Sequence, residues 1–268
     1  MNRRIASLAF VGDLLTQCGS RWLPRVVQAG TDLLLPPSCN FCGCVLDRPG
    51  RQPLICEPCR ADFVKRTLPA CPRCAAPVHP FEQGPDCIRC RKRRYAFQAA
   101  VAMGIYRDRL REAVIRMKQR VHEPLTISMG YLLAETMSEA VRSHQPDLLV
   151  PVPTYWLKRL RRGVNGPELL AEALGARLSI PAVKGMLYSR RSTKKQGTLL
   201  PVERLRNVRD AFGVKRRRDL QGASVMLIDD IMTTGATASE AARTLRKAGA
   251  SRVTVLVVAR GVGADHLA

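Results

Sequence analysis

Four Cys-x-x-Cys pairs, Cys39/Cys42, Cys56/Cys59, Cys71/Cys74 and Cys87/Cys90, dominate residues 36–90. Thirteen residues separate the first two pairs and twelve the last two. Pro, Gly and Cys crowd this stretch, and no amphipathic run in it is long enough to supply a core. A Cys-x-x-Cys turn sets two thiolates on one side of a metal ion, and a second turn completes a tetrahedron. Metal binding must then supply the folding energy of the segment. Two zinc sites of four thiolates each is the simplest solution. Sequential pairing of neighbouring turns is the simpler reading; an interleaved arrangement, first pair with third, is the alternative. Cys44 could stand in as a ligand, Cys18 reads as a buried free thiol, and His79 is a weaker ligand candidate than the eight cysteines. Fourfold repetition of the pair argues for a structural role rather than a thioredoxin-like redox one.

A second stretch carries different chemistry. Residues 224–250 read SVMLIDDIMTTGATASEAARTLRKAGA. Val225, Met226, Leu227 and Ile228 predict a buried strand that ends at Asp229 and Asp230. Thr233, Thr234, Gly235, Ala236 and Thr237 then make a tight turn into a helix predicted over residues 239–248. In a plain strand-turn-helix, Thr237 would be the N-cap and the acids merely solvated. The combination offers more: backbone N–H groups, hydroxyls and a helix amino end suit a phosphate. Two adjacent carboxylates suit the hydroxyls of a ribose. The pattern describes a site for a ribose 5-phosphate.

Lys and Arg number 44 against 22 Asp and Glu, a formal net charge of +22. That favours polyanionic or phosphorylated partners, with binding that weakens as salt rises. No apolar segment approaches the roughly 18 residues of a membrane span, and the amino terminus makes a poor signal peptide because Asp13 interrupts its apolar run. The Cys-x-x-Cys spacing and the phosphate motif point to the cytoplasm rather than to a disulfide-bonded secreted protein.

In chain order, residues 1–36 read as a helical lead-in, 37–94 as a double zinc-knuckle domain and 95–268 as an α/β domain. Strands are predicted over 96–106, 147–152, 183–188, 224–230 and 252–259. Helices are predicted after Asp108, which can cap its run, over 124–142, over 167–178 and from Pro201. This alternation implies a doubly wound, mainly parallel sheet. The turns after Pro153 and Asp230 then share its carboxyl edge, where such sheets bind ligands.

IDDIMTTGAT resembles the phosphoribosyl-pyrophosphate motif of the type I phosphoribosyltransferases. Together with the cysteine pairs, VPVP at residues 150–153, RRGVN at 161–165, Arg191/Thr193/Gln196, Arg206-Asn207-Val208 and Phe212, it resembles the ComF family, associated with DNA uptake in naturally competent bacteria. The likeness covers residues 36–261. It implies a phosphoribosyltransferase using phosphoribosyl pyrophosphate with Mg²⁺, acting in DNA uptake or nucleotide metabolism. Asp229 and Asp230 would hold the ribose, and Thr233, Thr234, Gly235, Ala236 and Thr237 the 5′-phosphate. Lys158, Arg161 and Arg162 are candidates for the pyrophosphate, with Lys118 and Arg191 as secondary ones. The family pattern R-G-F-N-Q is altered here, where Val164 and Gly166 replace the aromatic and the amide. That change bears on the acceptor, for which no motif names a substrate. His122 and Glu123 are available as a base, but their spacing does not recommend them. The alternative is a non-catalytic, zinc-containing accessory of competence that binds single-stranded DNA or proteins of the uptake machinery. Aromatic residues for base stacking are sparse near the knuckles.

Overall fold

Two uninterrupted apolar runs, one ending in the acid pair and the other RVTVLVVAR, lie side by side at the centre of the fold. The computed structural model describes residues 36–47, 52–65, 68–78, 87–91, 93–154, 165–191, 207–215 and 220–262. In chain order its elements are α1 (Glu57–Val64), α2 (Ile88–Arg91), β1 (Ala99–Ile105), α3 (Asp108–Arg116), α4 (Glu123–Ser143), β2 (Leu148–Pro151), α5 (Gly166–Leu178), β3 (Leu187–Ser189), β4 (Phe212–Val214), β5 (Ser224–Met232), α6 (Ala236–Lys247) and β6 (Arg252–Arg260).

Four strands form a parallel sheet in the order β1-β6-β5-β2. Ile228 pairs with Leu256 and with Pro151, and Ile105 pairs with Arg260, so all four strands finish at one edge. Side chains alternate across a strand, and here both faces are covered, as the continuous apolar runs require. Met226, Ile228, Leu256 and Val258 pack with Leu110, Met129, Leu133 and Leu170 of α3, α4 and α5. Val225, Leu227, Val255 and Val257 pack against Ala238, Ala241 and Leu245 of α6. The cysteine-rich segment is not a separate bead. A β-carbon on Gly104 would stand 2.1 Å from the Phe63 carbonyl oxygen, so only glycine lets α1 lie this close to β1.

The expected doubly wound, mainly parallel architecture is present, with local differences. β5 does not end at the acids but continues to Met232, because β6 goes on pairing with it through Ile231–Ala259 and Met232–Arg260. α6 starts at Ala236, earlier than Ser239, because Gly235 takes the cap position with φ +75°; Thr237 lies within the helix. Ser239 instead accepts the Ala96 N–H at 3.0 Å. Asp108 does not cap its helix but opens it, and Arg107 holds the cap position without a side-chain cap bond. The strand expected over 183–188 is shifted to Leu187–Ser189 and pairs antiparallel with β4 in a separate two-stranded sheet. β4 went unpredicted because FGV is too short to show a period. Asp210, just before it, is tied to α6: Arg243 Nη2 lies 2.7 Å from Asp210 Oδ1 and 2.6 Å from Glu240 Oε1. The helical lead-in up to residue 35, the start of the helix expected from Pro201, Cys18 and His79 lie outside the described residues. Among the described residues, no helix is long and apolar enough to cross a membrane.

Candidate functional site

Asp229 and Asp230 stand near the carboxyl end of β5, the central strand beside β2, and the turn Thr233–Gly235 leads directly into α6. The Asp230 backbone N–H donates to Asp229 Oδ1 at 2.9 Å. Asp230 Oδ2 lies 3.2 Å from Lys118 Nζ, with the carboxylate side chain only 15% exposed. Burial, and then the charge of Asp230 beside it, push the Asp229 carboxyl well above the ordinary carboxylate range, against the pull of the Asp230 N–H and Lys118. Two adjacent recessed carboxyls beside one lysine disfavour full ionisation by themselves and so present oxygens for a cation or for hydroxyl donors.

The turn provides the complementary half. Gly235 holds the cap position of α6 in a left-handed conformation and has no side chain with which to cap it. A β-carbon there would meet the Tyr95 ring at 2.8 Å, so the site demands glycine twice over. Thr234 is buried, and its Oγ1 accepts the Ala236 N–H at 3.4 Å. Helix amino end, hydroxyls and glycine turn face the same edge as the acids, in the arrangement that receives an anion.

The remaining expected cations divide. Lys118 does reach the acid pair, from the turn after α3. Arg191 is exposed just past β3 and donates to the Arg209 carbonyl at 2.8 Å; no described contact joins it to the acids. Lys158, Arg161 and Arg162, with Val164, lie outside the described residues. The ends of their segment are described, however. Thr154 follows β2 at the carboxyl edge, and its hydroxyl donates to Oδ1 of buried Asn165 at 3.0 Å. Asn165 is the cap residue of α5, followed by Gly166 and Pro167.

Each cysteine set converges. The sulfurs of Cys39, Cys42, Cys56 and Cys59 all lie within 4.8 Å of one another, as do those of Cys71, Cys74, Cys87 and Cys90. Cys39–Cys59 and Cys71–Cys90 are 3.9 Å apart, and Cys42–Cys56 and Cys74–Cys87 are 3.6 Å apart. A tetrahedron with metal–sulfur bonds of about 2.3 Å has edges of about 3.8 Å, so both sets fit zinc. Pairing is sequential, and the interleaved arrangement is not formed. Both first turns repeat one pattern: Cys39 N–H donates to the Cys44 carbonyl at 2.7 Å and Cys71 N–H to that of Ala76 at 2.8 Å. Cys44 thus matches Ala76 in position and stands outside the four-sulfur set, exposed.

Three residues tie the second cysteine set to the Thr/Gly turn, and spacing had not marked them. Arg93 Nη1 donates to the Thr234 carbonyl at 3.0 Å, and the Tyr95 hydroxyl donates to the same oxygen at 3.3 Å. Arg260 donates to carbonyls of Cys74, Met232 and Thr233. The one available signal was a cation closing the buried run RVTVLVVAR, where a charge demands partners.

Two stretches of the chain match known domain families. Residues 30–91 match the double zinc ribbon domain and residues 160–266 the phosphoribosyl transferase domain. The chain is 28% identical over 210 residues to competence protein F of Haemophilus influenzae, covering 77% of this chain and 90% of that one. It is 29% identical over 238 residues to DNA utilization protein YhgH of Salmonella typhimurium, covering 85% and 99%. It is 29% identical over 198 residues to competence protein ComFC of Bacillus subtilis, covering 73% and 79%.

Proposed function

We propose, on the premise that this chain is a homologue of the ComF-type competence proteins, that it binds phosphoribosyl pyrophosphate with Mg²⁺ and transfers the phosphoribosyl group. The observation that carries this is the acid pair and the Thr/Gly turn in one register at the carboxyl edge of β5. Asp229 and Asp230 accept the ribose hydroxyls. Thr233, Thr234, Gly235, Ala236 and Thr237 hold the 5′-phosphate at the amino end of α6. Lys118 orients Asp230, and Lys158, Arg161, Arg162 and Arg191 are assigned to the pyrophosphate. The carboxylates fit Mg²⁺, a hard cation that takes oxygen ligands and keeps much of its water; when bound, it screens the departing pyrophosphate. The chain's own contribution is to position the anomeric carbon between leaving group and acceptor, and to hold charge where it develops.

Each four-cysteine site holds a structural zinc, two per chain. The names of the relatives and the net charge of +22 support a role in handling incoming DNA, with single-stranded DNA or uptake proteins as partners, in the cytoplasm. Calorimetric titration of phosphoribosyl pyrophosphate with Mg²⁺ tests the site. Binding by the zinc-loaded protein and its loss in a folded Asp229→Ala/Asp230→Ala variant is the expected result. A folded, zinc-replete wild type that does not bind leaves the non-catalytic accessory as the better reading.

A further inference from the structure

Among the described residues, Arg260 heads the large fully buried side chains, with 1% of its surface exposed, and no carboxylate pairs with it. A buried charge is costly unless it is compensated. Its compensation comes from two places. Nε donates to the Cys74 carbonyl at 2.8 Å, within the second cysteine set. Nη1 donates to the Met232 carbonyl at 2.9 Å, and to those of Thr233 and Gly261. One guanidinium therefore joins a metal-ligand turn to the two residues that open the phosphate turn.

The neighbours make the same connection. Arg93 and Tyr95, which follow Cys90 by a few residues, both donate to the Thr234 carbonyl. Tyr95 packs against the cluster formed by Cys71, Cys74, Cys87 and Cys90, and its ring fills the space where Gly235 has no side chain. The first cysteine set has another base. Cys39, Cys59, Phe41 and Phe63 belong to the opposite core, with α3, α4 and α5. Arg116 of α3 donates to the Phe41 carbonyl at 2.8 Å.

We infer that Arg260 is a positioning residue that makes the shape of the phosphate turn depend on the metal state of the second cysteine site and not on that of the first. A zinc ion with four thiolates is a dianion, so the loaded second site also supplies the countercharge that Arg260 otherwise lacks. Without metal the turn around Cys74 loosens, and the carbonyls of residues 232–234 lose their fixed donors. The ligand assignment of the turn rests on the proposed function; the coupling does not.

The test follows hydrogen exchange by mass spectrometry in the full-length, two-zinc protein during stepwise chelation. Exchange in residues 39–59 and 71–90 reports which site has opened, and exchange in 232–237 reports the turn. The expected result is that the turn opens in step with 71–90 and not with 39–59. Arg260→Met should retain both zinc ions and protect 232–237 less, with Arg260→Lys in between. It should also bind phosphoribosyl pyrophosphate at least about tenfold more weakly, as loss of a supporting shell usually costs. By reciprocity of coupling, the ligand should raise the equilibrium zinc affinity of the second site alone, read by competition with a chelator. A purely structural role would lower the melting temperature without this selectivity. The inference is overturned if exchange in 232–237 ignores the second site, or tracks the first. If Arg260→Met does not fold, the wild-type chelation series decides alone. If the turn responds to metal but the wild type binds no phosphoribosyl pyrophosphate, the coupling stands and the ligand assignment falls.

Discussion

Thr154 and Asn165 are joined side chain to side chain, hydroxyl to amide oxygen, at 3.0 Å. Thr154 follows β2 at the sheet edge and Asn165 is the cap residue of α5, so the bond holds together the two ends of the intervening sequence. Lys158, Arg161 and Arg162 are all carried on that segment.

Removing this clasp should weaken ligand binding more than folding. Thr154→Val loses one hydrogen bond, worth about 1 kcal/mol in stability, measured by urea unfolding. Affinity for phosphoribosyl pyrophosphate should fall about tenfold or more, since misplaced charges at a binding edge are costly. Thr154→Ser, which keeps the hydroxyl, should restore it. An unchanged affinity in Thr154→Val would detach the segment from the site.

Asp229 gives a pH signature in the ligand-free protein. Its folded carboxyl titrates above the unfolded value of about 3.9. The folded chain therefore keeps a proton that the unfolded chain has released. That contribution to stability is full below the unfolded value and is lost as pH rises through the raised folded value. Asp229→Asn should abolish this decline and melt a few degrees higher at neutral pH, while losing ligand affinity. Thermal unfolding across a pH series checks both; a variant less stable than wild type at neutral pH would contradict the burial argument.

Lys118 opposes the raised titration of Asp229 and pairs with Asp230 at 3.2 Å. Lys118→Met should reduce affinity about tenfold, as removal of a charged partner does. It should also move the binding midpoint of Mg²⁺ and phosphoribosyl pyrophosphate to higher pH, because one cause holding Asp229 down has gone. A midpoint that stays put or moves down would show that Lys118 does not act on the acids.

Metal stoichiometry separates the two pairings of the cysteines directly. Native mass spectrometry should find two zinc ions per chain, one for each convergent set. Cys42→Ser with Cys56→Ser should lose one ion, and Cys42→Ser with Cys74→Ser should lose two. An interleaved metal arrangement would reverse those results.

Short-range pattern was sufficient for much of this protein. Cys-x-x-Cys repeats announce metal-ligand turns because two thiolates three positions apart converge whatever surrounds them. An apolar run, two acids and a Thr/Gly turn announce a strand-turn-helix with acids at its strand end for the same local reason. The doubly wound sheet follows from the alternation of runs suited to strands and helices. Tertiary structure decided the rest. Which cysteine pairs share a metal depends on distances between turns that spacing leaves free. β5 passes the acids because its neighbour β6 extends equally far, and β4 exists only because β3 lies beside it. Lys118 meets Asp230, and Arg260 joins Cys74 to Met232 and Thr233, across separations that no local period records. Such contacts are chosen by how a buried charge finds partners once the core has closed.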